Sequence, residues 1–134
     1  MSHLSVKPAA PPALAATMPT RWIPLAYFAF AHLSLAAAFA VLALEPRSLV
    51  GFFYHPRMLA VVHLVTLGFI SGSILGAIYV VGPLAFRMPL PARRLDWAAL
   101  VGFAVGVLGM VSHFWMDLPD GMAWAAGLAG VAIT

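Results

Sequence analysis

One histidine of this sequence lies inside a long apolar segment, where an ionisable side chain is costly to bury. From Met58 the chain reads MLAVVHLVTLGFISGSILGAIYVVGPLAF, without a charged residue before Arg87, and His63 is the sixth residue of that run. An ionisable residue in a membrane span marks a functional site by default. Because imidazole is a common ligand of haem iron and other metals, His63 is the first candidate ligand. The alternative is a packing residue whose imidazole is hydrogen-bonded to neighbouring backbone.

Two further histidines are weaker candidates for the same site. His113 lies in the run SHFWMD, which also suits an aromatic anchor at a membrane interface. His32 lies among small and apolar residues, where a hydrogen bond between helices and a role in a site are both open. His55 precedes a proline and suits an interfacial position, and His3 carries no site signal.

The composition excludes several kinds of chemistry. The sequence has no cysteine, so it forms no disulfide, iron–sulfur cluster or thiolate nucleophile. It has no GxSxG run, no phosphate-binding loop and no pair of carboxylates within an apolar segment, and Asp117 and Asp120 are expected to be solvated. The net charge is +3, and six of the seven basic residues are arginines near the ends of apolar segments. Such a pattern orients a membrane protein and does not indicate a nucleic-acid partner.

The elements that must position these histidines are membrane spans. Hydrophobic residues make up 63% of the chain and charged residues only 8%, whereas soluble domains carry about 25% charged residues. Four apolar segments, at about 22–44, 58–86, 97–116 and 122–134, are continuous, which favours helices over the alternating strands of a barrel. Because about 20 residues cross a bilayer as a helix, the sequence predicts an all-α transmembrane bundle with three complete spans and a fourth that is truncated at 13 residues. The chain is expected to lie in the lipid bilayer as the N-terminal part of a larger protein.

The charge distribution predicts an orientation. Residues 1–21 are rich in alanine and proline and are expected to form a disordered tail before one transmembrane region over 22–134. Five basic residues lie on the tail side of the spans and two on the other side: Lys7, Arg21, Arg87, Arg93 and Arg94 against Arg47 and Arg57. The excess of basic residues predicts a cytoplasmic N-terminus in a bacterial-type inner membrane. His63 and His113 then lie in the outer half of the bundle.

Glycines predict two close helix contacts. The second span carries glycines every four residues: Gly68, Gly72 and Gly76. The third span carries a second strip: Gly102, Gly106 and Gly109. Small residues at such spacings let helices approach closely, and at about 100° per residue the first stripe points away from His63. The second strip lies on the same side as His113 and would accept either a helix or the face of a planar ring.

The stretch HPRMLAVVHLVTLGFISGSILGAIYVVGP resembles the second helix of subunit I of haem–copper oxidases. The resemblance is closest to the nitric oxide reductase-like and divergent cytochrome c oxidase subunit I-like branches. In this family the second helix enters from the outer side, and a histidine near its outer end is an axial ligand of the low-spin haem. The matching positions are His63, the glycines from Gly68 to Gly76, Tyr79 and Pro83. The run SHFWMDLPDGMAWAAG resembles the connection between the third and fourth helices of the divergent branch.

The resemblance implies that His63 binds the iron of a b-type haem, with His113 and His32 as weaker cofactor-site candidates. It implies electron transfer in a respiratory or nitrogen-oxide-related membrane protein. Any oxidoreductase activity would need the longer chain, because the other haem ligands and the copper-binding histidines of the family lie on later helices. The implied partners are those remaining helices and redox subunits, whereas copper and the second haem ligand stay open.

One departure from the family and one alternative remain. In the common oxidases a glycine follows the histidine, whereas Leu64 follows His63 here. The alternative function is a non-haem membrane transporter fragment or a structural membrane subunit. In that case His63 and His113 would be hydrogen-bond partners between helices, and the glycines would serve packing alone.

Overall fold

A computed structural model describes residues 21–50, 55–86 and 94–134. The predicted disordered tail lies outside the described residues, except for Arg21. Arg87 and Arg93 also lie outside them. The described residues form α1 (Trp22–Leu44), α2 (Pro46–Leu49), α3 (Pro56–His63), a π-helix (Leu64–Ser71), α4 (Gly72–Phe86), α5 (Arg94–Met116), a short 3-10 turn (Pro119–Gly121) and α6 (Met122–Ile133).

Three of these helical stretches are long and apolar enough to cross a membrane: Trp22–Leu44, Pro56–Ala85 and Arg94–Met116. The last helix, α6, is apolar but has 12 residues, about 18 Å at 1.5 Å per residue, against the ~30 Å of a bilayer core. The predicted fold class, an all-α membrane bundle with three full spans and a short fourth helix, is therefore confirmed.

Two spans begin earlier than their apolar runs. The second begins at Pro56, because proline has no amide hydrogen to lose in a first helical turn and its φ suits that position. The third begins at Arg94, and its first turn includes Asp96, whose negative charge is favourable at a helix N-terminus. Apolar composition marks only the part of each helix that lies in hydrocarbon.

The glycine stripe of the second span packs on α1, as its spacing predicts. A β-carbon placed on Gly76 would lie 3.2 Å from Cβ of Tyr27, and one on Gly72 would lie 3.3 Å from Cβ of Ala31. A β-carbon on Gly68 would overlap the side chain of Ser34. The absence of side chains thus brings the two helices together along three successive contacts.

The described residues have two small apolar cores between the spans. The first joins α1 and α5 through Ile23, Tyr27, Phe103 and Val107, and Leu67 packs against it from the second span. The second joins α1 to the second span through Ala38, Val61 of α3 and Leu64 of the π-helix. Because the cores lie between helices, the outward faces expose many large apolar side chains, as expected of surfaces in contact with lipid.

The glycine strip of the third span is covered by α6. A β-carbon on Gly109 would lie 3.0 Å from the Trp124 ring, and one on Gly102 would lie 3.4 Å from Cβ of Ala132. At Gly106 the nearest atoms are backbone atoms of Ala125 and Ala129. Of the two occupants that the sequence left open for this strip, the helix is therefore the one present.

Candidate functional site

The three candidate histidines make the same local hydrogen bond. In each of His32, His63 and His113, Nδ1 lies 2.7 Å from the carbonyl oxygen four residues earlier in its own helix. Because a carbonyl oxygen can only accept, Nδ1 carries the proton and the neutral ring keeps its lone pair on Nε2. Backbone carbonyls commonly orient metal-bound histidines in this way. Each Nδ1 is thus satisfied within its own helix, which for His63 is the backbone bond expected of a packing residue, and the predicted interhelical hydrogen bonds of His63 and His113 are not among the described contacts.

His63 combines this bond with a position between two spans. It is the last residue of α3, is half-buried, and directly precedes the π-helix. Its ring packs on that of Phe114 in α5, with 4.7 Å between ring centroids and 34° between planes. The Leu59 carbonyl and the Phe114 ring therefore constrain the imidazole from two sides, and no described hydrogen bond involves its Nε2.

His113 is placed differently, because protein atoms cover its second nitrogen. Its Nδ1 donates to the Gly109 carbonyl, and its Nε2 lies against Gly121, where an added β-carbon would overlap the ring. Trp124 meets the ring edge-on with 5.7 Å between centroids. The imidazole thus packs the connection between α5 and α6, and an ion at Nε2 would need the space that Gly121 occupies.

His32 lies apart from the other two candidates. It is exposed on α1, and its only described ring contact is an edge-on one with Phe69 at 5.9 Å between centroids. Across the part of the chain that the structure describes, no three His, Asp or Glu side chains are close enough to hold a metal ion together. The geometry therefore separates the three histidines and singles out His63.

The chemistry of His63 suits one axial position of a haem. An imidazole that ligates iron usually has its other ring nitrogen hydrogen-bonded, and Nδ1 of His63 is bonded in that way. No described ring contact joins His32 or His113 to His63, and the second axial ligand stays open.

Sequence reasoning missed a polar pair at the opposite end of the bundle. The Tyr79 hydroxyl donates to Oδ1 of Asp96 at 2.9 Å, and the Tyr79 ring stacks on Tyr27 with 5.8 Å between centroids. Tyr27 is almost fully buried, so the pair joins three spans. A groove of about 530 Å³ lies beside it, between α5 and the end of α6. The signal that could have found this pair is an acid in the first turn of a span.

At the end of the bundle near His63, Arg57 connects the end of α1 to the end of α5. Its guanidinium pairs with Glu45 at 2.8 Å and lies over the Trp115 ring, 5.2 Å from its centroid. His55 lines the same groove as Arg57 and is exposed, and its interfacial position stays a prediction. Because both partners of the ion pair are more than one third exposed, this pair contributes at most about 1 kcal/mol to stability.

Comparison of the chain with known families, curated proteins and solved structures finds no match in any of the three. What the sequence and the structure establish together is the class. The described residues contain three helices of spanning length, close glycine contacts between them, and outward faces of large apolar side chains. The chain is a helical membrane protein.

Proposed function

We propose that this chain is the membrane-embedded part of a haem protein similar to subunit I of haem–copper oxidases. In this proposal it serves electron transfer through a b-type haem that is held by His63. The observation that carries the proposal is the 2.7 Å hydrogen bond from Nδ1 of His63 to the Leu59 carbonyl oxygen. It leaves the Nε2 lone pair available to bind iron. An ionisable side chain within a membrane span is costly and marks a functional site by default.

Two groups of this chain would serve the site. The Leu59 carbonyl holds the proton on Nδ1 and so keeps the lone pair on Nε2. The Phe114 ring limits rotation of the imidazole plane. When bound, a haem would supply one-electron chemistry, and the protein would tune its potential through this ligand.

The proposal includes an orientation. Arg21 and Arg94 lie at the starts of α1 and α5, at the bundle end that holds Tyr79 and Asp96, whereas Arg57 lies at the end near His63. The basic residues of the tail and of the second loop add to the end that holds Tyr79 and Asp96. That end is therefore the more basic one. We therefore propose a bacterial-type inner membrane, a cytoplasmic N-terminus, and His63 in the outer half.

The proposal is tested by optical spectroscopy of the chain produced in haem-replete cells and purified in detergent. The dithionite-reduced spectrum is expected to contain the bands of a b-type haem, and His63→Ala is expected to lose them. His32→Ala is the matched control, because His32 makes the same Nδ1 bond in another span. A folded protein without haem bands, or equal haem content in His63→Ala and the parent, would contradict the proposal.

The second candidate function is a structural membrane subunit without haem. It is favoured by the close contacts at Gly68 and Gly106, where helices meet so tightly that no group could enter between them. The same spectra separate the two candidates, because a structural subunit folds and remains stable without visible absorption.

A further inference from the structure

The buried face of the second span repeats every four residues. Its buried positions include Ala60, Leu64, Gly68, Gly72 and Gly76, and the last four lie against α1. An α-helix turns about 100° per residue, so in a regular α-helix a four-residue stripe shifts by about 40° at each step and runs obliquely across the helix surface. From Leu64 to Gly76 the stripe follows α1 from Ala38 back to Tyr27.

The π-helix at Leu64–Ser71 reduces this shift. A π-helix bonds each amide to the carbonyl five residues back and so has more residues per turn, which lowers the rotation of a four-residue stripe. The Gly72 amide donates to the Leu67 carbonyl, five positions earlier, and also to the Phe69 carbonyl. The Ser71 hydroxyl donates to the Thr66 carbonyl at 3.2 Å, which also spans five residues. Ser71 thus provides a second donor to a backbone that has been widened by one residue.

The extra residue also sets the direction of His63. Leu64 packs in the core against Ala38 of α1, so the preceding residue, His63, faces Phe114 of α5, and Val62 is 39% exposed. If the segment were a regular α-helix one residue shorter, His63 would take the place of Leu64 against α1. Val62 would then take the place of His63 beside Phe114.

We infer that the π-helix points His63 at the third span, so that its imidazole lies against the Phe114 ring and not against α1. The geometric part of this inference needs no cofactor. Its consequence for a ligand rests on the proposed function, since only a bound haem makes the direction of His63 matter chemically.

Cysteine cross-linking tests the geometry, because the chain has no native cysteine. In the unshortened chain, His63→Cys with Phe114→Cys is expected to form a disulfide or a short thiol cross-link in several-fold higher yield than Val62→Cys with Phe114→Cys. Deletion of Ile70, a half-exposed residue within the π-helix, should reverse that order. The matched control is Ile70→Ala, which removes the same side chain and keeps the residue count.

Folding of the shortened chain is checked by a separate pair. The pair is Ala31→Cys with Gly72→Cys, in which Gly72 follows the deleted residue and Ala31 lies in α1. The two β-carbons would be 3.3 Å apart, so this pair should cross-link in both the unshortened and the shortened chain. If that pair forms and the preference for position 63 over 62 is unchanged by the deletion, the inference is overturned.

A second measurement keeps the inference testable if the deletion prevents folding. In the unshortened chain, Leu64→Cys should cross-link to Ala38→Cys in higher yield than Val65→Cys does. A regular α-helix counted back from Gly72 would bring residue 65, not residue 64, to face α1. A higher yield for position 65 would therefore also overturn the inference.

Haem content then separates this inference from the proposed function. Loss of haem bands on deletion of Ile70, with retention in Ile70→Ala, is expected. If the cross-links switch but the parent binds no haem, the positioning inference holds and the proposed function fails. If the parent binds haem through His63 and the shortened, folded chain binds it equally, the proposed function holds and the positioning inference fails.

Discussion

A β-carbon placed on Gly106 would lie 2.6 Å from the backbone nitrogen of Ala129. At this point α5 and α6 are in backbone contact, and no side chain could be added to α5 without moving one helix. Between membrane helices such packing replaces the hydrophobic effect, because lipid tails are as apolar as the side chains themselves. The attachment of α6 to the bundle therefore depends on the glycine strip of the third span.

Gly106→Ala should weaken this interface. The added methyl group meets backbone, which has little freedom to yield, so we expect a loss of about 1–3 kcal/mol in unfolding free energy. The measurement is thermal or denaturant unfolding in detergent micelles. Gly127→Ala is the matched control, since a β-carbon there meets nothing within 4 Å and alanine is the better helix former. Equal stability of the two variants would contradict the backbone contact.

Gly121→Ala should disturb His113. The new methyl group would overlap the imidazole, while the φ of Gly121, −95°, is one that alanine adopts without strain. We expect a loss of about 1–3 kcal/mol that is largely removed in the His113→Ala background. A double-mutant cycle on unfolding measures this coupling. Additive losses would mean that the two residues do not meet.

Asp117→Gly should stabilise the end of α5. Asp117 has φ 55° and ends the helix, with its amide bonded to the Phe114 carbonyl and the following amide bonded to the His113 carbonyl. Such an arrangement favours glycine, and a negative charge is unfavourable at a helix C-terminus. We expect a gain of about 0.5–1 kcal/mol for Asp117→Gly and a loss for Asp117→Ala in the same unfolding assay. The reverse order would contradict the positive φ of Asp117.

Tyr79→Phe should loosen the end of the bundle that lies away from His63. It removes the donor of the 2.9 Å bond to Asp96 and keeps the stacking on Tyr27. Hydrogen bonds to charged groups contribute about 1.5–3 kcal/mol, so we expect a loss of that order. A double-mutant cycle with Asp96→Asn, followed by unfolding in detergent, measures the coupling energy between the Tyr79 and Asp96 side chains. A coupling near zero would show that the bond does not form in the membrane.

Gly102→Cys with Ala132→Cys should form a disulfide. The β-carbons would be 3.4 Å apart, close to the ~3.8 Å typical of disulfides. Oxidation followed by thiol-reactive mass labelling measures the yield. Gly102→Cys with Gly130→Cys is the control, because a β-carbon at Gly130 has no neighbour within 4 Å. Comparable yields would mean that α6 does not hold its register on α5.

Much of the fold could be predicted from the sequence. Apolar length alone defines membrane spans, because backbone in lipid must satisfy its own hydrogen bonds. The glycine spacings also identified two packing faces. Their partners could not be predicted, since a small residue favours any close helix. The π-helix could not be predicted from the four-residue spacing, because stripes of small residues at that spacing also pack on neighbours in regular α-helices.

For the candidate site, the sequence by itself determined the residue and not its geometry. An imidazole among apolar side chains is costly wherever it lies in a span, so His63 could be singled out from composition. Only the tertiary structure decided that its Nε2 has no described hydrogen bond, that Phe114 is its neighbour, and that the Nε2 of His113 is covered by Gly121. These are relations between helices, and they depend on rotation about each helix axis, which one inserted residue changes by about 100°.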